Sequence, residues 1–130
     1  MLIGVVSDTH GDRIRIQKCL PHLEQVDYVL HAGDYFEDAQ IIAASVKCKV
    51  IAVVGNCDYM VRGPVEEMVV LGGKKIFMTH GHIYKVKKNL TLLMARAKAL
   101  GAEIAVYGHT HAPNVFRRDG ILYVNPGSLH

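Results

Sequence analysis

Five short stretches of this chain hold residues that bind metals or move protons: Asp8-Thr9-His10, Gly33-Asp34, Gly55-Asn56-Cys57-Asp58, Thr79-His80-Gly81-His82 and Gly108-His109-Thr110-His111. The chain has eight histidines, a high count for 130 residues, and five of them (His10, His80, His82, His109 and His111) fall in these stretches. Asp8, Asp34, Asn56, His10, His80, His109 and His111 together offer two carboxylates, one amide oxygen and four imidazoles. That set is too large for one ordinary ion and suits two. A mixed oxygen and nitrogen set fits Mn²⁺, Fe²⁺, Zn²⁺ or Ni²⁺ better than Mg²⁺, which prefers oxygen alone, or structural zinc, which favours thiolates. Two dications, offset by two aspartates and one bridging hydroxide, leave a single positive charge, which favours an anionic phosphoryl ester. Two ions about 3.5–4 Å apart clamp two phosphoryl oxygens and bring a bound water's pKa towards about 7, so no protein nucleophile is needed.

Each stretch closes an apolar, β-branched run: residues 2–10, 28–34, 50–58, 75–82 and 103–111. The run from Val50 to Val54 reads as a strand buried on both faces. Between the first three runs lie helical patterns. Asp12 can cap a helix over roughly 13–25 with Ile16, Leu20 and Leu23 on one face, and Pro21 should kink or shorten it. Residues 38–47 read as a second, short helix. Asn89 can cap a third, in which Leu90, Leu93, Met94, Ala97 and Leu100 recur at helical spacing until Gly101 stops it. Hairpins are expected to turn at Gly72-Gly73 and at Asp119-Gly120.

Strand–helix–strand–helix–strand at the start implies parallel, right-handed crossovers. The two hairpins add more strands than one sheet holds easily. Two sheets packed face to face with helices outside are therefore expected. Parallel strands deliver their C-terminal ends to one crevice. On that argument the seven donors converge, although they span over 100 residues.

The chain length suits one domain over residues 1–130. No apolar stretch approaches the roughly 18 residues of a membrane span, and the opening residues 1–8 lack the basic lead of a signal peptide. The three cysteines (Cys19, Cys48 and Cys57) are widely spaced with no CxxC pair, which points to a reducing, cytoplasmic setting. The net charge of +3 is mild, and Lys74-Lys75, Lys85, Lys87-Lys88 and Arg117-Arg118 are dispersed. With no tryptophan either, a long nucleic-acid groove is disfavoured. A homo-oligomer stays open.

The five motifs, in this order, resemble those of the calcineurin-like metallophosphoesterase superfamily, and most closely its small bacterial and archaeal phosphodiesterases. Any one motif alone is weak; five in order, each at a strand end, are a strong signal. The resemblance implies a four-layer α/β/β/α sandwich and a phosphodiesterase with a metal-bridging hydroxide as nucleophile and two divalent ions, Mn²⁺ above all. It implies that Asp8, His10 and His111 hold the first ion, that Asn56, His80 and His109 hold the second, and that Asp34 bridges. Asn56 would also contact a phosphoryl oxygen of a small phosphodiester substrate.

Two departures stand out. Many members carry histidine where this chain has Cys57, and that histidine is taken to protonate the leaving group. A thiol with a pKa near 8.5 is a poor substitute, so a slower enzyme, an easier leaving group, or a proton from His82 or water is expected. The cysteine form also occurs among the small phosphodiesterases, so it does not argue against activity. The other departure is that similar proteins usually continue past residues 125–128 with a further strand or two; if such strands are missing here, a sheet edge is left unpaired.

Each residue also has an ordinary structural reading. Asp8 or Asp34 could serve a turn, and a lone histidine could be core packing; it is the common placement at strand ends that argues otherwise. His82 divides between a role at the site and a plain structural one, Arg62 could reach a phosphate, and Asp58 supports its neighbours or the loop. His22 reads as a surface residue, His31 as packed or supporting, and Met60, Met68, Met78 and Met94 as core. A second class of function remains, because the same fold serves as a binding scaffold in the small retromer subunit, which has lost part of the ligand set. Here all seven positions hold competent donors, which favours an enzyme.

Overall fold

The structure, a computed structural model, describes residues 1–59 and 61–129; Met60, expected in the core, and His130 lie outside the described residues. Three parallel strands, β1 (Ile3–Val6), β2 (Tyr28–His31) and β3 (Lys49–Ala52), form one sheet in the order β1-β2-β3. The second sheet is mixed, in the order β4-β5-β6-β8-β7. It comprises β4 (Glu66–Leu71), β5 (Lys74–Thr79), β6 (Ile104–Val106), β7 (Asn114–Arg118) and β8 (Ile121–Asn125). Both expected hairpins are present. Gly72, Gly73, Asp119 and Gly120 all have positive φ, the geometry that two-residue hairpin turns require.

Three apolar clusters divide the molecule into four layers. Leu30 of the parallel sheet, with Ala32 and Val53 just past its strand ends, meets Leu71, Ile76, Met78 and Val106 of the mixed sheet in the centre. On the far side of the parallel sheet, Ile16 and Leu23 of the first helical segment and Ile42 of the second cover Val6 and Val29. On the far side of the mixed sheet, Leu93 and Ala97 of the third helix pack on Phe77, Ala105 and Tyr123. This is the expected α/β/β/α order.

The helices differ in detail from the sequence reading. The first is α1 (Arg13–Cys19), capped by Asp12, whose carboxylate accepts the Arg15 N–H. At Pro21 it tightens into a 3-10 turn over Leu20–Leu23, because proline lacks the N–H that an α-helix needs. The second helix, α2 (Phe36–Ser45), starts two residues earlier than expected. The third, α3 (Thr91–Ala99), follows Asn89, whose side chain accepts the Thr91 N–H at 3.1 Å. Strand β3 ends at Ala52, so Val53 and Val54 run beyond the sheet as buried connection. Met78 is buried and Met94 packs beside the α3 cluster, but Met68 is 36% exposed. It sits on β4, an edge strand of the mixed sheet.

Candidate metal centre

Strands β1 to β3 run parallel, as do β5 and β6, so five segments leave their sheets at the same end. Those segments turn sharply. Asp8, His10, Asp34, His109 and His111 all have positive φ, between 49° and 70°. Few residues with a side chain adopt that conformation, and it persists only where surrounding contacts hold it. The turns aim the side chains back over the strand ends.

The side chains meet there. Asp8 Oδ1 lies 3.2 Å from His111 Nε2, 3.8 Å from His80 Nε2 and 3.9 Å from His10 Nε2. Asp34 Oδ1 lies 3.3 Å from His80 Nε2, and Asp34 Oδ2 lies 3.7 Å from His10 Nε2. The Nε2 atoms of His10 and His111 are 3.3 Å apart. Asn56 Oδ1 is 3.0 Å from His80 Nε2, and the His109 ring packs edge-on against His80 at 4.9 Å between centroids. All seven residues singled out as metal donors are thus at one locus. Among the described residues, Asp8, His10 and His111 form one group with geometry for an ion, and Asp8, Asp34 and His80 another.

Two observations test whether ions fit. Asp8 is fully buried; its Oδ2 accepts hydrogen bonds from Ser7 Oγ and the His109 N–H, while its Oδ1 accepts none. A buried carboxylate oxygen left without a donor is costly, and a cation is a partner that would satisfy it. The second concerns His80. Its Nδ1 lies 2.8 Å from the carbonyl oxygen of Ala32 and must donate to it. A neutral ring then carries a lone pair on Nε2, and that lone pair faces two acceptors, Asp34 Oδ1 and Asn56 Oδ1. A proton or a cation among these three atoms reconciles them.

Ionisation follows from the same contacts. Burial works against a charged His80, but the hydrogen bond to Asp34 and the charges of Asp34 and Asp8 outweigh it and raise its pKa above the ordinary imidazole value. Burial works against a charged Asp34 too; its contacts with His80 and the Cys57 N–H prevail and hold the carboxyl well below its usual range. His109 is pulled down to about 4 by burial and by its neighbours His80 and Lys87, leaving its ring neutral and able to ligate. Because an ion competes with a proton for His80, whose pKa is raised, Mn²⁺ binding to chelator-stripped protein should be weaker at pH 5.5 than at pH 7.5, by at least about tenfold, with protons released on loading at the lower pH. Calorimetry in two buffers of different ionisation enthalpy checks this.

The remaining sequence candidates divide. Cys57 Sγ lies within the same inner space as His10 and Asp34, and its thiol is pushed up by burial and by the charge of Asp34, so it keeps its proton. His82 stands beside His80 and His109, with ring centroids 5.5 and 6.2 Å away, and burial and His80 lower its pKa. Asp58 accepts the N–H groups of Phe36 and Gly55, both at 2.7 Å, tying the start of α2 to the Asn56 loop. Arg62 is exposed and is not among the residues lining the cavity of about 230 Å³ beside Cys57, which Tyr35 and Tyr59 flank. His22 is exposed, as expected. His31 is fully buried and hydrogen-bonded to Thr9, not to the centre.

The family model for the calcineurin-like phosphoesterase superfamily domain matches residues 1–130. This chain belongs to that superfamily. It is 33% identical over 131 aligned residues to the probable metallophosphoesterase YsnB of Bacillus subtilis, an alignment covering 99% of this chain and 75% of YsnB. Among solved structures it resembles a single mutant of Vps29 from Entamoeba histolytica (TM-score 0.84, 27% identity, 98% of this chain and 74% of that one). It also resembles an archaeal phosphodiesterase (TM-score 0.80, 26% identity, 98% of this chain and 84% of that one). The chain therefore carries the superfamily fold, with candidate ligand groups at the strand ends where its motifs lie. No helix among the described residues is long and apolar enough to cross a membrane.

Proposed function

We propose that the chain is a phosphodiesterase dependent on two divalent ions, acting on a small phosphodiester. The observation that carries this reading is the buried, donor-free Asp8 Oδ1 within 4 Å of three imidazole Nε2 atoms. Asp8, His10 and His111 would hold one ion, Asn56, His80 and His109 the other, with Asp34 shared between them. Manganese suits this mixed set, and nickel, iron or zinc are the other candidates. When bound, the pair would supply an activated water as nucleophile and neutralise charge on the phosphoryl oxygens. The name of the archaeal phosphodiesterase it resembles supports a diester over a monoester. All three cysteines are free, which fits a cytoplasmic setting.

The chain's own residues do the rest. Asn56 Nδ2 donates to Cys57 Sγ at 3.7 Å, which leaves its second amide N–H for a phosphoryl oxygen on the side of the cavity beside Cys57. The protonated thiol and His82 are the groups near enough to serve a leaving alkoxide, and neither equals a positioned imidazolium as an acid. Cys57→His should therefore raise the rate on esters of poorly acidic alcohols by up to about 10²-fold and leave activated aryl esters little changed. An unchanged rate on the poor leaving groups, with metal content intact, would count against this role.

The scaffold reading rests on the likeness to Vps29. What separates the two is catalysis. Chelator-stripped protein should hydrolyse a simple aryl phosphodiester only after Mn²⁺ is added. A folded protein inert with every candidate ion would move the balance to the scaffold.

A further inference from the structure

We propose that Asp38, acting through Thr9 and the Gly11 backbone, is the positioning residue for His10 and so sets the affinity of the first metal site; this rests on the two-ion reading above. Asp38 lies in the first turn of α2 and is 3% exposed. Its Oδ2 accepts the Thr9 hydroxyl at 2.6 Å and the Gly11 N–H at 2.8 Å. One oxygen therefore grips the residues on both sides of His10. His10 itself has φ of 49°, and its neighbour Gly11 has 73°, so its left-handed turn depends on how the flanking residues are held.

The grip is backed by a second buried group with a fixed sense. The Gly33 N–H donates to His31 Nδ1 at 3.2 Å. In the neutral ring the proton therefore sits on Nε2, which donates to Thr9 Oγ1 at 3.0 Å. The single Thr9 hydroxyl proton is left for Asp38, whose oxygen is nearer than the Asp34 carbonyl at 3.3 Å. The chain of bonds runs from Gly33, beside Asp34, through His31 and Thr9 to Asp38. His31 and Thr9 are fully buried, and none of the three side chains is a candidate ligand.

A helix acid of purely structural value would support both metal sites alike. A positioning group for His10 acts on the first alone. The test uses Mn²⁺ titration of chelator-stripped full chain by calorimetry, in a His109→Ala background that leaves the first site and a His111→Ala background that leaves the second. Thr9→Val removes the hydroxyl at almost constant volume. It should weaken Mn²⁺ binding at the first site about 10–100-fold and leave the second within about threefold, while Thr9→Ser restores the first. Asp38→Ser, whose vacated space admits water, is the second variant and must give the same pattern. Equal weakening at both sites, or undiminished first-site binding in a folded variant, would overturn the proposal. A wild-type chain that binds one ion removes the two-ion reading yet leaves the Thr9→Val comparison decisive; one that binds none overturns both.

Discussion

Replacing Asp34 with asparagine is expected to reduce metal-dependent phosphodiester hydrolysis at least about 1000-fold, which corresponds to about 4 kcal/mol of lost transition-state stabilisation. The two oxygens of Asp34 reach towards both halves of the centre, Oδ1 to His80 at 3.3 Å and Oδ2 to His10 at 3.7 Å. Its carboxyl is held well below its usual range, so it is ionised at any working pH. Asparagine keeps the shape and one oxygen, and that oxygen can still accept the Cys57 N–H now bonded at 3.0 Å. The fold should survive, with a melting temperature within a few degrees of the parent. What is lost is the charge and one acceptor, and an amide NH₂ then confronts an imidazole. A folded Asp34→Asn protein with more than a tenth of the parent rate would contradict a bridging role.

Gly55→Ala should be among the most damaging single-methyl changes in the chain. An added Cβ would overlap Asp34 Oδ1 and lie 2.6 Å from the Asp34 backbone nitrogen, closer than a carbon can sit. Gly55 has no left-handed φ, so the cost is one of space and not of backbone conformation. Either the Asn56 loop or the Asp34 turn must move, and both carry candidate ligands. The expected loss is about 1–3 kcal/mol of stability, with Mn²⁺ binding and turnover reduced far more than the melting temperature suggests. Gly73→Asn is the control: Gly73 sits in the β4–β5 turn with nothing within 4 Å of an added Cβ, and asparagine tolerates its positive φ. It should melt close to the parent and keep full activity. Equal effects of the two substitutions would mean that the Gly55 approach to Asp34 is unimportant.

Much of the centre was legible because each donor follows an apolar run that reads as a strand, and parallel strands leave their sheet at one end. The burial on both faces expected of residues 50–54 does not hold for β3, where Val50, Ile51 and Ala52 are only half-buried. Residues 50–58 illustrate both the reach and the limit. The run ending in Asn56 led to the site, although the strand proper stops at Ala52 and two valines carry the chain onward. The left-handed backbone at Asp8, His10, Asp34, His109 and His111 left no mark in the sequence, since aspartate and histidine occupy ordinary turns just as readily. Asp38 was missed for a related reason. An acid in a first helical turn reads as a favourable charge at a helix start, and only the fold reveals that its oxygen faces the chain on either side of His10. Asp58 was seen as a supporting residue, but its two backbone partners, one of them in α2, are a tertiary fact. Met68 was misplaced because apolar spacing does not distinguish an edge strand from a central one.

The most direct test of the central claim is to titrate Mn²⁺ into chelator-stripped protein while following hydrolysis of an aryl phosphodiester in the same cuvette. Activity absent at the start and rising to a plateau at two equivalents per chain is the expected result. Activity independent of added metal, or a plateau reached at one equivalent, would contradict a two-ion phosphodiesterase.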